Sequence, residues 1–199
     1  MRVLELPART APRVAVLVEG DSDAVVVERL AASRGIHFDG SAGGPELVSM
    51  QGVTNIRRVI TAFRASHPST VLLGLADAPE ERFVAAAVAG DEVLPDREEL
   101  AARGFFVCVR DLEDELIRAL GTASVEDAVR EIGDAGRFET FQRQPEWRGR
   151  PRADQLHRFA GSGSGRKRAL AARLAERLDA STTPPPLRRL LDRLELELG

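Results

Sequence analysis

The sequence predicts an α/β fold: a parallel four-stranded sheet flanked by helices, followed by a helical extension. Three observations predict it. Short apolar runs rich in β-branched or aromatic residues recur four times before residue 110. Each is followed by a segment with apolar residues at helical spacing, and strands alternating with helices in this way build a parallel sheet covered on both faces. After Gly121 no strand-like run follows.

The elements read in order as follows. Val14 to Val18 (VAVLV), bounded by Pro12 and Gly20, is a buried strand. Ala24 to Ser33 carries Val26, Val27, Leu30 and Ala31 at helical spacing, and Gly35 stops it. Glu46 to Met50 is the second strand. Thr54 to Ala65 is an amphipathic helix with Ile56, Val59, Ile60 and Phe63 on one face, ended by Pro68. Thr70 to Leu75 is the third strand and Glu80 to Ala89 its helix, with a further turn or two at Arg97 to Arg103. Phe105 to Val109 (FFVCV) is the fourth strand, and Leu112 to Leu120 a helix stopped by Gly121. Then come helices at Ser124 to Ile132, Phe138 to Gln142, Arg152 to Phe159, Lys167 to Leu178 and Leu187 to Leu198. Gly161 to Gly165 and Thr182 to Pro186 are loops. The expected division is 14–121 for the α/β domain and 122–199 for a helical extension that completes the site.

Composition narrows the function classes. Of 199 residues, 28 are basic and 31 acidic, a net charge of −3. One Cys and three separated His (His37, His67, His157) make neither a disulfide nor a zinc site, so a reducing cytoplasm is expected. The start, MRVLELPARTAPR, has no apolar run of signal-peptide length, and no stretch approaches a membrane span. Of the basic residues 27 are Arg and one, Lys167, is Lys. Charge is uneven: between Arg137 and Arg177, 11 basic residues face 4 acidic ones, leaving an acidic first part. That asymmetry suits a metal site beside a polyanion, or reflects solvated helix faces.

Function in an open parallel sheet collects beyond the carboxyl ends of the strands. Strand one runs into Glu19-Gly20-Asp21-Ser22-Asp23, strand three into Asp77-Ala78-Pro79-Glu80-Glu81, and strand four into Arg110-Asp111-Leu112-Glu113-Asp114. Crowded carboxylates repel one another unless a hard divalent cation sits among them; Mg²⁺ or Mn²⁺ held this way polarises phosphates and activates water. Ordinary roles exist for several of these acids. Asp21 or Ser22 suits the N-cap of the first helix, Asp111 the N-cap of the fourth, and Glu81 a solvated helix face. Glu19 and Asp77 resist such a reading, because each is the first polar residue at the end of an apolar strand.

Familiar nucleotide motifs are absent. Gly161-Ser-Gly-Ser-Gly165-Arg166-Lys167-Arg168 follows a helix and lacks G-x-x-x-x-G-K-[ST], and no G-x-G-x-x-G follows strand one. Neither an ATP nor an NAD site is expected.

The apolar strand Val14 to Val18 followed by Glu19-Gly20-x-x-Asp23 resembles the Toprim signature, shared by primases, topoisomerases, recombination mediators and OLD-family nucleases. Asp77 matches the first acid of the second Toprim mark, D-x-D; Pro79 stands in its second place, with Glu80 or Glu81 as substitutes. Leu112-Glu113-Asp114 and Gly165-Arg166-Lys167 resemble the helix start and functional Lys of OLD nucleases, and the chain is similar to small stand-alone Toprim nucleotidyl transferase/hydrolase proteins. The resemblance covers residues 14 to 178. It implies a metal-dependent endonuclease acting on DNA. Glu19, Asp23 and Asp77 would hold one Mg²⁺ or Mn²⁺, Glu113 with Glu80 a second, and Glu19 and Lys167 would be catalytic, the ammonium offsetting charge on the phosphoryl oxygens. Arg143, Arg148, Arg150, Arg152, Arg166 and Arg168 would meet nucleic-acid phosphates. Trp147 stacks a base or packs against the protein. Since about 13 residues precede strand one, any ATPase is expected on a separate chain or absent. No membrane contact is expected. The alternative is a module that binds nucleic acid or partners an ATPase without catalysis. With no Tyr, the chain offers no tyrosine nucleophile for a topoisomerase-type transesterification, which argues against that activity.

Overall fold

The computed structural model describes residues 11–41, 43–90 and 92–199; most of the N-terminal segment read above for a signal peptide lies outside them. The first part runs β1 (Val14–Val18), α1 (Asp21–Ser33), β2 (Pro45–Ser49), a 3₁₀ turn (Val53–Asn55), α2 (Ile56–Ser66) and β3 (Val71–Ala76). A second 3₁₀ turn (Ala78–Glu80), α3 (Glu81–Ala89), α4 (Arg97–Ala102) and β4 (Phe105–Val107) follow. Then come α5 (Leu112–Glu131), α6 (Ala135–Arg143), α7 (Arg152–Ala160), α8 (Ser164–Ala175) and α9 (Pro185–Leu198). No helix among the described residues is long and apolar enough to cross a membrane.

The four strands form one parallel sheet in the order β2-β1-β3-β4. All five residues of β1 are buried, which is why its run has no polar alternation. Val14, Val16 and Val18 point to one face, into a core shared with Val26, Leu116, Leu156, Leu170 and Leu190. Ala15 and Leu17 point to the other, toward Ile60, Phe63 and Val88. The helices after Gly121 thus pack onto the same core as β1 and α1. Gly74 lets β3 lie against β4: a methyl group there would sit 2.6 Å from the Phe105 ring.

Local chemistry moves several boundaries from their expected places. Helix α1 starts at Asp21, and its N-cap is Gly20 rather than Asp21 or Ser22. The Asp23 carboxylate accepts the Gly20 amide at 2.9 Å, the role a capping-box acid takes. Strand β4 ends at Val107: the Val109 amide turns away to donate to Glu115 Oε1 at 2.7 Å. Helix α5 runs through the expected stop, but Gly121 breaks it with a left-handed φ of 74°, so the break lies where the glycine predicted it. Helix α8 begins at Ser164, three residues earlier than expected, and ends at Ala175. Lys167 therefore closes its first turn, its amide donating to the Gly163 carbonyl.

The chain passes from β1 to β2 on one side, then crosses to β3 on the other. The crevice beyond the carboxyl ends of β1 and β3 is the switch point of the sheet, where open α/β sheets bind ligands. Glu19 and Asp77 leave these two strands.

Candidate metal centre and active site

Three carboxylates meet at the switch point. Oxygens of Glu19, Asp77 and Glu80 all lie within 4.8 Å of one another. Glu19 follows β1, and its carbonyl accepts the Gly52 amide at 3.0 Å. Asp77 follows β3 in extended conformation, with Oδ1 accepting the Leu112 amide at 3.1 Å. Glu80 closes the 3₁₀ turn in which Pro79 sits early, a position that tolerates the missing amide proton. This turn sends the two acids after Pro79 in different directions. Glu80 reaches the cluster, whereas Glu81 turns to Arg97 at 2.5 Å. One oxygen of Glu80, Oε2, is buried without a hydrogen-bond partner among the described residues. A buried carboxylate oxygen normally has a partner, and a cation among the three acids would supply one.

The electrostatics agree. Burial pushes the Asp77 carboxyl up to about 8, with Asp23, Asp111, Glu113 and Glu80 adding repulsion. Burial and then the neighbouring Glu19 push Glu80 up to about 7. Asp23 rises to about 6 through burial, although Lys167 and the Gly20 amide hold it down. Such crowding is what a divalent cation relieves. Lys167 Nζ lies 3.2 Å from Glu113 Oε1, both side chains partly buried. Burial opposes its charge, but Glu113, Asp23 and Asp77 together outweigh this and hold its pKa above the ordinary value. The sole lysine of the chain is thus drawn to the acidic edge from α8.

Glu19, Asp23, Gln51, Lys167 and Arg168 line a cleft of about 410 Å³. Gln51 was not singled out from the sequence. It has a φ of 57°, the only positive value on a non-glycine among the described residues, and its amide donates to Asp21 Oδ1 at 2.8 Å. Ser49 donates to the same oxygen at 2.8 Å, and these two bonds hold the Asp21 carboxyl below its usual range. Asp111 caps α5 as expected, its Oδ1 accepting the Asp114 amide at 2.8 Å. Its other oxygen lies 2.6 Å from His157 Nε2, a contact 46 residues apart in sequence that no local signal announces.

The family model for the "overcoming lysogenization defect protein-like, TOPRIM domain" matches residues 13–73. Over that segment, which holds β1 to the start of β3, the chain is similar to an OLD-like Toprim domain. The fold extends beyond the matched segment. The C-terminal region of the Burkholderia pseudomallei OLD protein superposes with a TM-score of 0.61 at 18% identity, over 94% of this chain and 99% of that one. The C-terminal region of the Xanthomonas campestris pv. campestris OLD protein superposes with a TM-score of 0.67 at 20% identity, over 94% and 96%. Among curated proteins none matches. Beside this sheet, the helices that follow Gly121 supply Lys167.

The structure separates the six arginines singled out for nucleic acid. Arg168 is exposed on the cleft wall and belongs to no ion pair among the described residues. Arg143, Arg148 and Arg150 are exposed around the turn between α6 and α7, each touching a backbone carbonyl. Arg152 pairs with Glu126 at 2.9 Å. Arg166 faces inward: it bonds Asp134 at 2.5 Å, donates to the Ser162 carbonyl at 2.6 Å, and lies over the Phe159 ring. It staples the 161–163 loop from which α8 departs. Trp147 stacks on Phe141 with centroids 5.1 Å apart, a packing role.

Proposed function

We propose that this chain hydrolyses nucleic-acid phosphodiesters, DNA in the first place, with Mg²⁺ or Mn²⁺. The observation that carries the reading is the convergence of Glu19, Asp77 and Glu80, with one Glu80 oxygen buried and without a partner among the described residues. These three would hold the ion. Asp23 and Glu113 flank them and would serve a second ion or orient the first. The hard oxygen donor set suits Mg²⁺ or Mn²⁺ over softer metals. When bound, such a cation neutralises phosphate charge and acidifies an attacking water.

The chain's own residues supply the rest. Lys167 presents an ammonium beside the acids, placed to offset charge growing on the phosphoryl oxygens. Gln51 and Arg168 border the cleft through which a strand would approach. Arg143, which pairs loosely with Glu139 at 3.7 Å, and Arg148 and Arg150 stand exposed and would track a phosphate backbone without reading sequence. Likeness to OLD proteins, in which this region is C-terminal, supports the same reading and suggests an ATPase as partner. Plasmid nicking with Mg²⁺ or Mn²⁺ tests it: the wild type is expected to nick, and Glu19→Ala and Lys167→Ala to lose the activity. Equal nicking by wild type and Glu19→Ala sinks the catalytic reading.

Pro79 in place of an acid favours a second reading, a Toprim module that binds nucleic acid or an ATPase without catalysis. Metal titration separates the two, since a scaffold need not change at the acidic cluster when Mg²⁺ is added.

A further inference from the structure

The acidic cluster is held in shape from outside the sheet. Residues 110–112, the corner between β4 and α5, grip the end of β3 at two points. The Arg110 carbonyl accepts the Ala78 amide at 2.9 Å, and the Leu112 amide donates to Asp77 Oδ1 at 3.1 Å. The first bond fixes the start of the turn that carries Glu80; the second orients Asp77 itself. At the centre of the corner stands Asp111, with both carboxylate oxygens engaged. Oδ1 caps α5 and Oδ2 meets His157 Nε2 at 2.6 Å, each side chain about four-fifths buried. His157 comes from α7, on the far side of the Gly121 break.

We propose that His157 is a positioning residue for the acidic cluster: by pinning Asp111 from α7, it fixes the corner that orients Asp77 and the turn bearing Glu80. The inference rests on the metal-dependent reading above and deepens it. An N-cap carboxylate held at one oxygen alone can swing about its Cα–Cβ bond; held at both, it sets the direction of the following amide. Side chains that orient metal ligands in this indirect way commonly change metal affinity by about 10–100-fold when removed. The sequence treated the three histidines as unrelated because none has ligand spacing. His157 needs none, since it acts through Asp111 and the corner that Asp111 sets.

The test compares wild type with His157→Gln, His157→Leu and Asp111→Ser at one fixed pH. The Gln amide can still donate to Asp111, Leu cannot, and Ser keeps the helix cap while losing the oxygen that meets His157. Two quantities are read: Mn²⁺ affinity by electron paramagnetic resonance, and hydrogen exchange of the Leu112 and Ala78 amides in metal-free protein. His157→Leu and Asp111→Ser are expected to bind Mn²⁺ about tenfold more weakly, with His157→Gln within about threefold of wild type. Exchange is expected to quicken at Leu112 and Ala78 while the core amides of β1 and α9 keep their protection, which a general loss of stability would not give. If His157→Leu does not fold, Asp111→Ser decides on the same two readouts. Wild-type Mn²⁺ affinity and Leu112 exchange in Asp111→Ser or His157→Leu overturn the proposal. Wild type binding Mn²⁺ no better than Glu19→Ala overturns the metal reading instead, and the exchange arm shows whether the corner is pinned regardless.

Discussion

Neutralising Asp77 while keeping its shape separates the two things the acidic cluster does. In Asp77→Asn the side-chain oxygen still accepts the Leu112 amide, so the 3.1 Å bond that anchors the corner survives. What disappears is a buried charge. The Asp77 carboxyl ordinarily titrates near 3.8 and here at about 8. The sign follows from linkage. A carboxyl whose pKa is raised by folding contributes stability that is fully present below its unfolded pKa and is lost as pH rises through its folded pKa. Metal-free wild type should therefore lose stability between about pH 4 and pH 8, and the Asn variant should lose less. The gap of about four pH units at 1.36 kcal/mol each bounds the effect near 5–6 kcal/mol. Asp23, Asp111, Glu113 and Glu80 contribute to the same repulsion and relax when one charge is removed, so we expect about 2 kcal/mol at pH 8.5. For a chain of this length that is about 4–8 °C in Tm. The assay is thermal unfolding in chelator at pH 4, 6.5 and 8.5, repeated with saturating Mg²⁺. Without metal the variant should match wild type at pH 4 and exceed it at pH 8.5. With metal the order should reverse, since ligand at 100 times its Kd adds about 2.7 kcal/mol to a protein that binds it. A variant no more stable than wild type at pH 8.5, or equally stabilised by Mg²⁺, refutes the reasoning.

Other expectations concern the basic residues. Lys167→Met should fold normally and lower the nicking rate about 10²–10³-fold, while Lys167→Arg should recover little, because a guanidinium fork does not replace a compact ammonium. Arg166→Met should cost about 3 kcal/mol, since it strips the partner at 2.5 Å from Asp134, whose side chain is only 8% exposed; unfolding in urea reads it directly. That value sits at the low end for a broken buried pair because Arg137 still holds Asp134 at 2.8 Å. Arg168→Ala should leave urea unfolding unchanged and weaken DNA binding, lowering the slope of log affinity against log salt by about one phosphate contact.

The strands and the acidic edge were legible because both are written locally. VAVLV has no polar residue to place in water, and the acid at its end has nowhere to go but the rim. Gly121 was legible for the same reason: only its own φ had to be left-handed. What was not legible depends on partners distant in the chain. Arg166, Lys167 and Arg168 are consecutive and look alike in sequence. The structure gives them a buried Asp134, a mostly buried Glu113 and no ion-pair partner at all among the described residues. Helical rotation of about 100° per residue sends them to three environments, and the short step from the Gly163 cap sets which residue faces which. A helix start misplaced by three residues is enough to lose that information. His157 and Asp111 were each read singly, one as a residue without ligand spacing and one as a cap, because nothing in sequence joins positions 46 apart.

Pro79 shows how a departure from a motif is resolved by backbone geometry. A D-x-D pattern on an extended strand end places its two acids on the same side, because side chains alternate. Here the chain does not stay extended after Asp77. Pro79, with its fixed φ and no amide proton, favours a tight turn, and the Glu80 amide closes it by donating to the Asp77 carbonyl at 3.0 Å. The turned backbone brings Glu80 to the cluster with Glu19 and Asp77. We read Pro79 and the Glu one place later as a pair, the turn at Pro79 carrying an acid that residue 79 itself does not. The pair makes a definite demand: restoring Asp at 79 while leaving Glu80 would add a fourth acid to a crowded edge, and Pro79→Asp with Glu80→Ala is the exchange expected to preserve Mn²⁺ binding. Retention of Mn²⁺ affinity by Glu80→Ala alone, measured against wild type, would show that the turn does not deliver a ligand.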